Sequence, residues 1–213
     1  VLVGAAVATN ALPALIVTRR SLATNWREEL VKWGFLNAGN DPRWSELRTR
    51  PKLVNGKLPD LYKVGLRETA LWTFIHPEII EAWSGLLQGR YKTLFLDEAH
   101  LFGNPKTLRT KGAALAAAMI QRAGGSVWAA SGTALTGKLK QLWSVLQMLE
   151  PGAWGTQHDF SRRYLGLELG NWGWREGDRT HVTELNARLE HTMFLRSKEQ
   201  LGMQLPPLTQ VLV

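Results

Sequence analysis

The chain contains no cysteine among its 213 residues, which excludes disulfide bonds and thiolate metal sites and fits a reducing compartment. It has no apolar run approaching the ~18 residues of a membrane-spanning helix. Its five histidines are scattered, and no two have the four-residue spacing of a helical zinc site. The apolar segment 1–15 has no basic region before it, so a signal peptide is not expected. We therefore expect a soluble intracellular protein with no membrane partner, cytoplasmic or nucleoid-associated in a prokaryote or phage and nuclear in a eukaryote.

The chain has little acidic charge relative to basic charge, with 26 Lys and Arg against 18 Asp and Glu and a net charge of +8. Its 45% hydrophobic and 21% charged content is ordinary for a globular domain, and its length is enough for one core. A basic surface is typical of nucleic-acid binding but also occurs for solubility alone. Charge by itself leaves both interpretations open.

Apolar segments of strand and helix character alternate along the chain, which predicts an α/β fold with a parallel sheet covered by helices on both faces. The predicted strands are 14–18, 71–75, 91–96, 126–130 and 192–195. The predicted helices are 1–10, one that Ser21 caps, 77–87, 108–121, 139–149 and 182–189. Residues 36–68 form either an exposed insertion or a short strand flanked by loops, and residues 166–178 a loop or hairpin.

Five of the ten tryptophans bear on the interpretation. Trp26, Trp33 and Trp143 lie on predicted apolar helix faces, so we expect them in the core. Trp172 and Trp174 lie in a glycine-rich segment. They either stack on nucleic-acid bases or pin this loop to the domain as buried indoles.

Two of the predicted strands end in groups suited to phosphate chemistry. The run 91–96 leads into Asp97-Glu98, and the run 126–130 leads into Ser131-Gly132-Thr133. In an open α/β sheet, ligands bind at the carboxyl ends of the strands, and an Asp-Glu pair there is how many ATPases hold Mg²⁺ and orient water. The simpler alternative is that these residues form ordinary turns and helix caps.

In this order and at this spacing, the two blocks resemble motifs II and III of superfamily 2 helicase-like ATPases. The blocks that resemble the Swi/Snf-type branch of that superfamily include these two. They are motif Ia (13–22) with Trp26 and Trp33 after it, motif II (94–100), Asn104-Pro105-Lys106, motif III (130–136) with the stretch that follows, and the lobe exit (193–207). These blocks keep their order across nearly the whole chain. The resemblance implies that residues 1–213 form one RecA-like first lobe of the P-loop NTPase type.

The resemblance also implies cofactors and roles for the motif residues. ATP and Mg²⁺ are the expected cofactors, with Asp97 holding the metal directly or through water. Glu98 is expected to orient and deprotonate the attacking water, since phosphoryl transfer depends mainly on positioning and charge. His100 is expected to hydrogen-bond to motif III. Coupling of nucleotide state to domain movement is assigned to Ser131, Gly132 and Thr133.

DNA contacts are expected mainly in the segment after the motif Ia strand, at Thr18, Arg19, Arg20 and Ser21, with Lys138 as a weaker candidate. Hydroxyl and main-chain N–H groups contribute to such backbone contacts as well as charge. The family usually has proline at the position of Arg19, and a solvated surface is the alternative interpretation of the two arginines. The implied partners are double-stranded or branched DNA and a second RecA-like lobe.

One family block does not occur in the sequence, namely the phosphate-binding loop Gly-x-x-x-x-Gly-Lys-Ser/Thr. The family carries it upstream of a helix similar to residues 1–10, and places its strand beside the strand 126–130. We therefore expect a sheet that is incomplete at its N-terminus, and a chain that is part of a longer protein. Alone, it should be inactive, because the loop's N–H groups and lysine bind the β and γ phosphates. It should also be only marginally stable, because a sheet edge is left unpaired.

The complete protein is expected to be a DNA-dependent ATPase that moves along duplex DNA, similar to compact annealing-helicase-like members, including bacterial and phage ones. Three alternatives remain at this point. One is a restriction-type superfamily 2 translocase subunit, and another is a degenerate, non-catalytic DNA-binding lobe. The third is an unrelated hydrolase with Asp97 and Glu98 as an acid/base pair, which is geometrically poor because adjacent strand residues face opposite ways.

Overall fold

The computed structural model describes residues 11–51, 66–132, 139–170, 173–175 and 177–194. Five strands form one parallel sheet in the order β2-β3-β1-β4-β5. They are β1 (Ala14–Val17), β2 (Trp44–Leu47), β3 (Trp72–Ile75), β4 (Thr93–Leu96) and β5 (Ser126–Ala129). The predicted α/β class with a parallel sheet is confirmed, and β2 shows that the segment 36–68 contributes a short strand.

Six α-helices and a hairpin accompany the sheet in the described part of the chain. The helices are α1 (Ala23–Lys32), α2 (Ile80–Ser84), α3 (Leu108–Arg122), α4 (Leu139–Leu149), α5 (Gln157–Tyr164) and α6 (Val182–Leu189). The hairpin consists of β6 (Glu168–Gly170) and β7 (Gly173–Arg175), and two 3₁₀ turns cover Arg20–Leu22 and Ala99–Phe102. None of the described helices has the length and apolarity needed to cross a bilayer.

The central strands β1, β3 and β4 are buried along their whole length, because helices cover both faces of the sheet. Side chains alternate between the faces along each strand. On one face, Ile16, Phe74 and Phe95 pack against Leu30 of α1. On the other face, the core contains the next residues of the same strands together with residues of α2 and α3. The sheet therefore separates α1 from α2 and α3.

β5 forms one margin of the sheet, and among the described residues its ladder partner is β4. It is only partly buried, and Trp128 is 40% exposed. This is the margin where the family resemblance places the strand before the phosphate-binding loop.

A third apolar cluster joins α4, α5 and α6, with Leu146 and Phe160 fully buried. α5 begins with a capping box in which Thr156 and Asp159 satisfy each other's backbone N–H groups. The guanidinium of Arg188 on α6 lies 4.1 Å from the ring centroid of Trp154. The same side chain donates to the Tyr164 hydroxyl at 2.9 Å. The helices after β5 thus form a unit of their own, which α4 connects to the sheet.

Two predictions for this part of the chain were wrong, namely the residue at which α1 begins and the burial of Trp33. The 3₁₀ turn delays the α-helix to Ala23, so Leu22 is the N-cap and Ser21 caps nothing. Trp33 is 68% exposed because it lies at the end of α1, where its indole donates to Glu29 at 2.9 Å. Trp26 and Trp143 do pack partly buried against apolar clusters.

Two other element predictions differ from the structure. The helix predicted over 77–87 is only the five residues of α2, because turns occupy the rest of the segment on both sides. Residues 192–194 end the described chain as turn and irregular structure, so the final strand predicted there was wrong. Residues 1–10, Thr133, Lys138 and Trp172 lie outside the described residues.

Candidate active site at the carboxyl edge of the sheet

The chain leaves the neighbouring strands β1 and β4 in opposite directions. After β1 it passes through α1 toward β2, and after β4 it passes through α3 toward β5, on the other face. Such a divergence leaves a crevice at the carboxyl ends of parallel strands, where ligands bind. Thr18 and Asp97 directly follow the two strands, so both lie at this divergence.

Asp97 is held by the segment that follows β1. Its backbone N–H donates to Val17 O at 2.9 Å. Its Oδ2 accepts hydrogen bonds from Thr18 Oγ1 at 2.7 Å and from Trp26 Nε1 at 2.9 Å. Its Oδ1 accepts from the Glu98 N–H at 3.0 Å. Both acceptor positions of Oδ2 are therefore used, whereas Oδ1 retains capacity for another ligand.

Glu98 has a left-handed backbone, with φ 52° and ψ 53°. This conformation is uncommon for residues other than glycine and costs on the order of 1 kcal/mol or more. It reverses the chain into the 3₁₀ turn, and the Ala99 N–H then donates to Ala130 O at 2.8 Å. The carboxylate lies beside His100, 3.1 Å from Nδ1. Adjacent carboxylates thus face different neighbours, which argues against an acid/base pair made of Asp97 and Glu98.

His100 connects the ends of β4 and β5. Its Nδ1 lies 3.2 Å from Ser131 Oγ in hydrogen-bond geometry, so the contact expected between the two motifs is present. Its close approach to Glu98 lacks hydrogen-bond alignment, and Glu98 Oε2 is a buried atom with no hydrogen-bond partner among the described residues. Gly132, next to Ser131, is exposed. Glu98 Oε2 therefore keeps its capacity to accept a hydrogen bond.

Asp97 suits Mg²⁺ better than a metal caged by protein ligands. Within the described residues there is no group of three or more His, Asp or Glu side chains that could enclose a metal ion. Mg²⁺ is usually held by one or two carboxylates together with waters and substrate phosphates. The donor set therefore fits a magnesium–nucleotide complex held through Asp97 Oδ1.

The predicted DNA-contact residues divide into one buried and three exposed residues. The side chain of Thr18 is buried, its hydroxyl donates to Asp97, and its N–H donates to Ile75 O at 3.1 Å. Arg19, Arg20 and Ser21 are exposed in the turn that follows. The donors available to a phosphate backbone in this segment therefore belong to these three residues.

Sequence analysis missed further basic groups at the same edge. Arg48 follows β2 and donates to Glu46 at 2.8 Å, and Arg50 donates to Glu78 O at 3.2 Å. Beside them, Arg20 and His76 help to line a shallow cleft whose free volume of about 10 Å³ has room for about one water and none for a nucleotide. The signal available in the sequence was that these residues directly follow strands.

The partnership of Trp26 with Asp97 was also missed. Its position on an apolar helix stripe correctly predicted packing, and its ring lies 6.2 Å from that of Phe74. The indole N–H, however, points to a carboxylate 71 positions away. No local pattern in the sequence indicates such a contact.

A family model of the SNF2-related domain matches residues 4–213. The chain belongs to the SNF2-related domain family. The resemblance to the Swi/Snf-type branch is therefore confirmed, and the residues described above lie within the matched range.

Curated relatives of this SNF2-related domain are much longer proteins. The SWI/SNF-related matrix-associated actin-dependent regulator of chromatin subfamily A-like protein 1 of Xenopus tropicalis is 23% identical over 195 residues, covering 91% of this chain and 19% of that protein. The DNA annealing helicase and endonuclease ZRANB3 of Mus musculus is 25% identical, covering 92% and 18%. The Zorya protein ZorD of Escherichia coli is 25% identical, covering 93% and 19%. The chain spans about a fifth of the length of these relatives.

Solved structures confirm the RecA-like fold of the SNF2-related domain. The Sulfolobus solfataricus SWI2/SNF2 ATPase core in complex with dsDNA superposes with a TM-score of 0.68 at 22% identity, covering 94% of this chain and 37% of that chain. A second structure of that core domain superposes with a TM-score of 0.61 at 21% identity.

Proposed function

We propose that this SNF2-related domain is the first lobe of a DNA-dependent ATPase that couples ATP hydrolysis to movement along duplex or branched DNA. The observation that supports this best is the arrangement of Asp97, Glu98 and His100 at the carboxyl edge of the sheet. ATP and Mg²⁺ are the cofactors, and a second RecA-like lobe is the partner that closes over the nucleotide. The relatives described as annealing helicases and the Sulfolobus core bound to dsDNA support the choice of DNA.

Each carboxylate has a separate role in this proposal. Asp97 holds Mg²⁺ through Oδ1, directly or through a water, while its Oδ2 remains bonded to the segment after β1. When bound, the metal neutralises charge on the phosphate oxygens. Glu98 offers its buried Oε2 to the attacking water, orients that water toward the γ-phosphate and accepts its proton.

His100 and Ser131 transmit the state of this site. Since His100 contacts both Glu98 and Ser131, a change at the γ-phosphate acts directly on the end of β5. Ser131, Gly132 and Thr133 then form the segment that moves with the nucleotide state. DNA binds at the same edge of the sheet, across Arg19, Arg20 and Ser21, with Lys138 as a further contact.

The 213-residue chain alone is proposed not to hydrolyse ATP, because no Gly-x-x-x-x-Gly-Lys-Ser/Thr loop occurs in its sequence. The test therefore uses the complete gene product that contains it. We expect DNA-stimulated ATP hydrolysis, and we expect Glu98→Gln to lower it by about 10²–10⁴-fold. DNA affinity of the variant should remain that of wild type, because the change removes a proton acceptor and leaves Arg19 and Arg20 in place.

The matched control is Glu190→Gln, which changes an exposed glutamate at the end of α6 and should leave hydrolysis unchanged. Full activity in Glu98→Gln would refute the assigned role. A wild-type protein that binds DNA but does not hydrolyse ATP would instead favour the non-catalytic DNA-binding lobe.

A further inference from the structure

One oxygen of Asp97 is bonded to both ends of a single chain segment. Thr18 and Trp26 donate to the same Oδ2 atom, at 2.7 Å and 2.9 Å. Residues 19–25 lie between these two donors and form the 3₁₀ turn and the first residues of α1. The segment is therefore tied to the carboxylate at its beginning and at its end.

Both donors are fixed by packing. Thr18 is 1% exposed and is joined to β3 by its backbone N–H. Trp26 is partly buried, and its ring packs at 57° to that of Phe74. An indole N–H can only donate, so its hydrogen bond specifies an acceptor at the position of Oδ2. Together the two donors set the rotation of the carboxylate and hence the direction in which Oδ1 faces.

Three exposed residues between the two donors, Arg19, Arg20 and Ser21, are those to which the proposed function assigns DNA contact. We propose that Thr18 and Trp26 are positioning residues that couple DNA binding to the ATP site by setting the orientation of Asp97. Binding of a DNA strand to Arg19, Arg20 and Ser21 orders the segment, and the two hydrogen bonds carry that ordering to the carboxylate. This inference rests on the proposed function, because it needs both DNA and magnesium–ATP as ligands.

Such coupling is reciprocal. If DNA strengthens the binding of magnesium–nucleotide by some factor, magnesium–nucleotide strengthens the binding of DNA by the same factor, commonly about 5–150-fold. The ratio of DNA dissociation constants without and with nucleotide is therefore a readout that requires no hydrolysis. A residue that only supports the fold would change DNA affinity in both conditions and leave this ratio unaltered.

The experiment uses the complete protein with Trp26→Phe, which keeps the aromatic packing and removes the N–H donor. Fluorescence anisotropy with a labelled DNA duplex measures its affinity with and without Mg²⁺ and a non-hydrolysable ATP analogue. For Trp26→Phe we expect the wild-type affinity for DNA in the absence of nucleotide. We expect its ratio of DNA dissociation constants without and with nucleotide to fall toward one. The Mg²⁺ concentration for half-maximal hydrolysis should rise by about tenfold, as for other residues that orient a metal ligand.

Thr18 provides the second pair of variants. Thr18→Val removes the hydroxyl at nearly constant volume and should reproduce the effects of Trp26→Phe, whereas Thr18→Ser keeps the hydroxyl and should restore the wild-type ratio. If Trp26→Phe does not fold, the comparison of Thr18→Val with Thr18→Ser tests the coupling role by itself. Trp33→Phe is the matched control, because Trp33 lies at the end of the same helix, is 68% exposed and donates only to Glu29 in the described structure.

Wild-type ratios in both Trp26→Phe and Thr18→Val would overturn the coupling role while leaving the proposed ATPase intact. A wild-type protein that neither hydrolyses ATP nor responds to DNA would overturn the proposed function, and the coupling with it. These two failures are distinguished by wild-type activity, which is measured before any variant.

Discussion

Tyr91 illustrates how burial controls a single ionisable group in this domain. Its side chain is 5% exposed just before β4, and burial raises the pKa of its hydroxyl from 10.0 to about 12. The folded state therefore favours the neutral phenol more strongly than the unfolded state does. This contribution to stability is complete below pH 10.0 and is lost as the pH rises through about 12.

Tyr91→Phe should remove this part of the alkaline sensitivity. Between about pH 9 and about pH 11.5, we expect wild type to lose about 2 kcal/mol more unfolding free energy than the variant does. Urea denaturation at the two pH values measures the difference. Parallel losses in wild type and variant would show that Tyr91 ionises in the folded state as it does in the unfolded one.

Prediction from sequence gave the location of residues that directly follow a strand, and their chemical roles stay predictions. Asp97, Glu98 and His100 were placed at a sheet edge because a buried strand delivers the residues that follow it there. Trp26 was placed in the core only, since its partner is 71 positions away and no local pattern specifies that contact. The left-handed backbone of Glu98 was also not predicted, because it follows from the pairing of Ala99 with the end of β5.

At the scale of elements, the contact of α2 with α3 depends on one glycine. A Cβ on Gly112 would lie 2.4 Å from both the N and Cα atoms of Glu81, and backbone atoms cannot yield as a flexible side chain can. Gly112→Ala should therefore force the helices apart and destabilise the domain by about 2–3 kcal/mol. Thermal or chemical denaturation of the variant measures this cost.

Gly85→Ala is the matched control for this contact. Gly85 ends α2 with right-handed backbone angles, and a Cβ added there would have nothing within 4 Å. We expect no decrease in stability, or an increase of up to about 1 kcal/mol from reduced freedom of the unfolded chain. Equal effects of the two substitutions would contradict the close approach of α2 and α3.

The elements themselves were predicted unevenly, for physical reasons. The bounds of α4 and α6 agreed with the predicted 139–149 and 182–189, because amphipathic periodicity and burial coincide there. α2 was predicted too long, since an apolar segment can pack under the sheet as turns. Ser21 had the chemistry of an N-cap, but the 3₁₀ turn after β1 placed it outside the α-helix.

For the molecule as a whole, the carboxyl edge of the sheet divides into two halves of different character. The ends of β4 and β5 present Asp97, Glu98 and the Ser131 hydroxyl, whereas exposed arginines follow β1 and β2. Thr18 lies where the halves meet. A nucleotide with its metal suits the first half, and a phosphate backbone suits the second, so under the proposed function both ligands bind to the same edge of one sheet.

This arrangement predicts which cations contribute to DNA binding. Replacing either Arg19 or Arg20 by glutamine should weaken DNA binding and reduce the slope of log affinity against log salt by about 0.9 for each DNA phosphate that the arginine neutralised.

The matched control is Arg122→Gln. Arg122 is exposed at the end of α3, near the amino ends of the strands, and should not touch DNA bound at the carboxyl edge. Titrations of a labelled duplex at several salt concentrations measure both quantities. A slope that falls equally in all three variants would mean that the net charge of +8, and not the carboxyl edge, determines DNA binding.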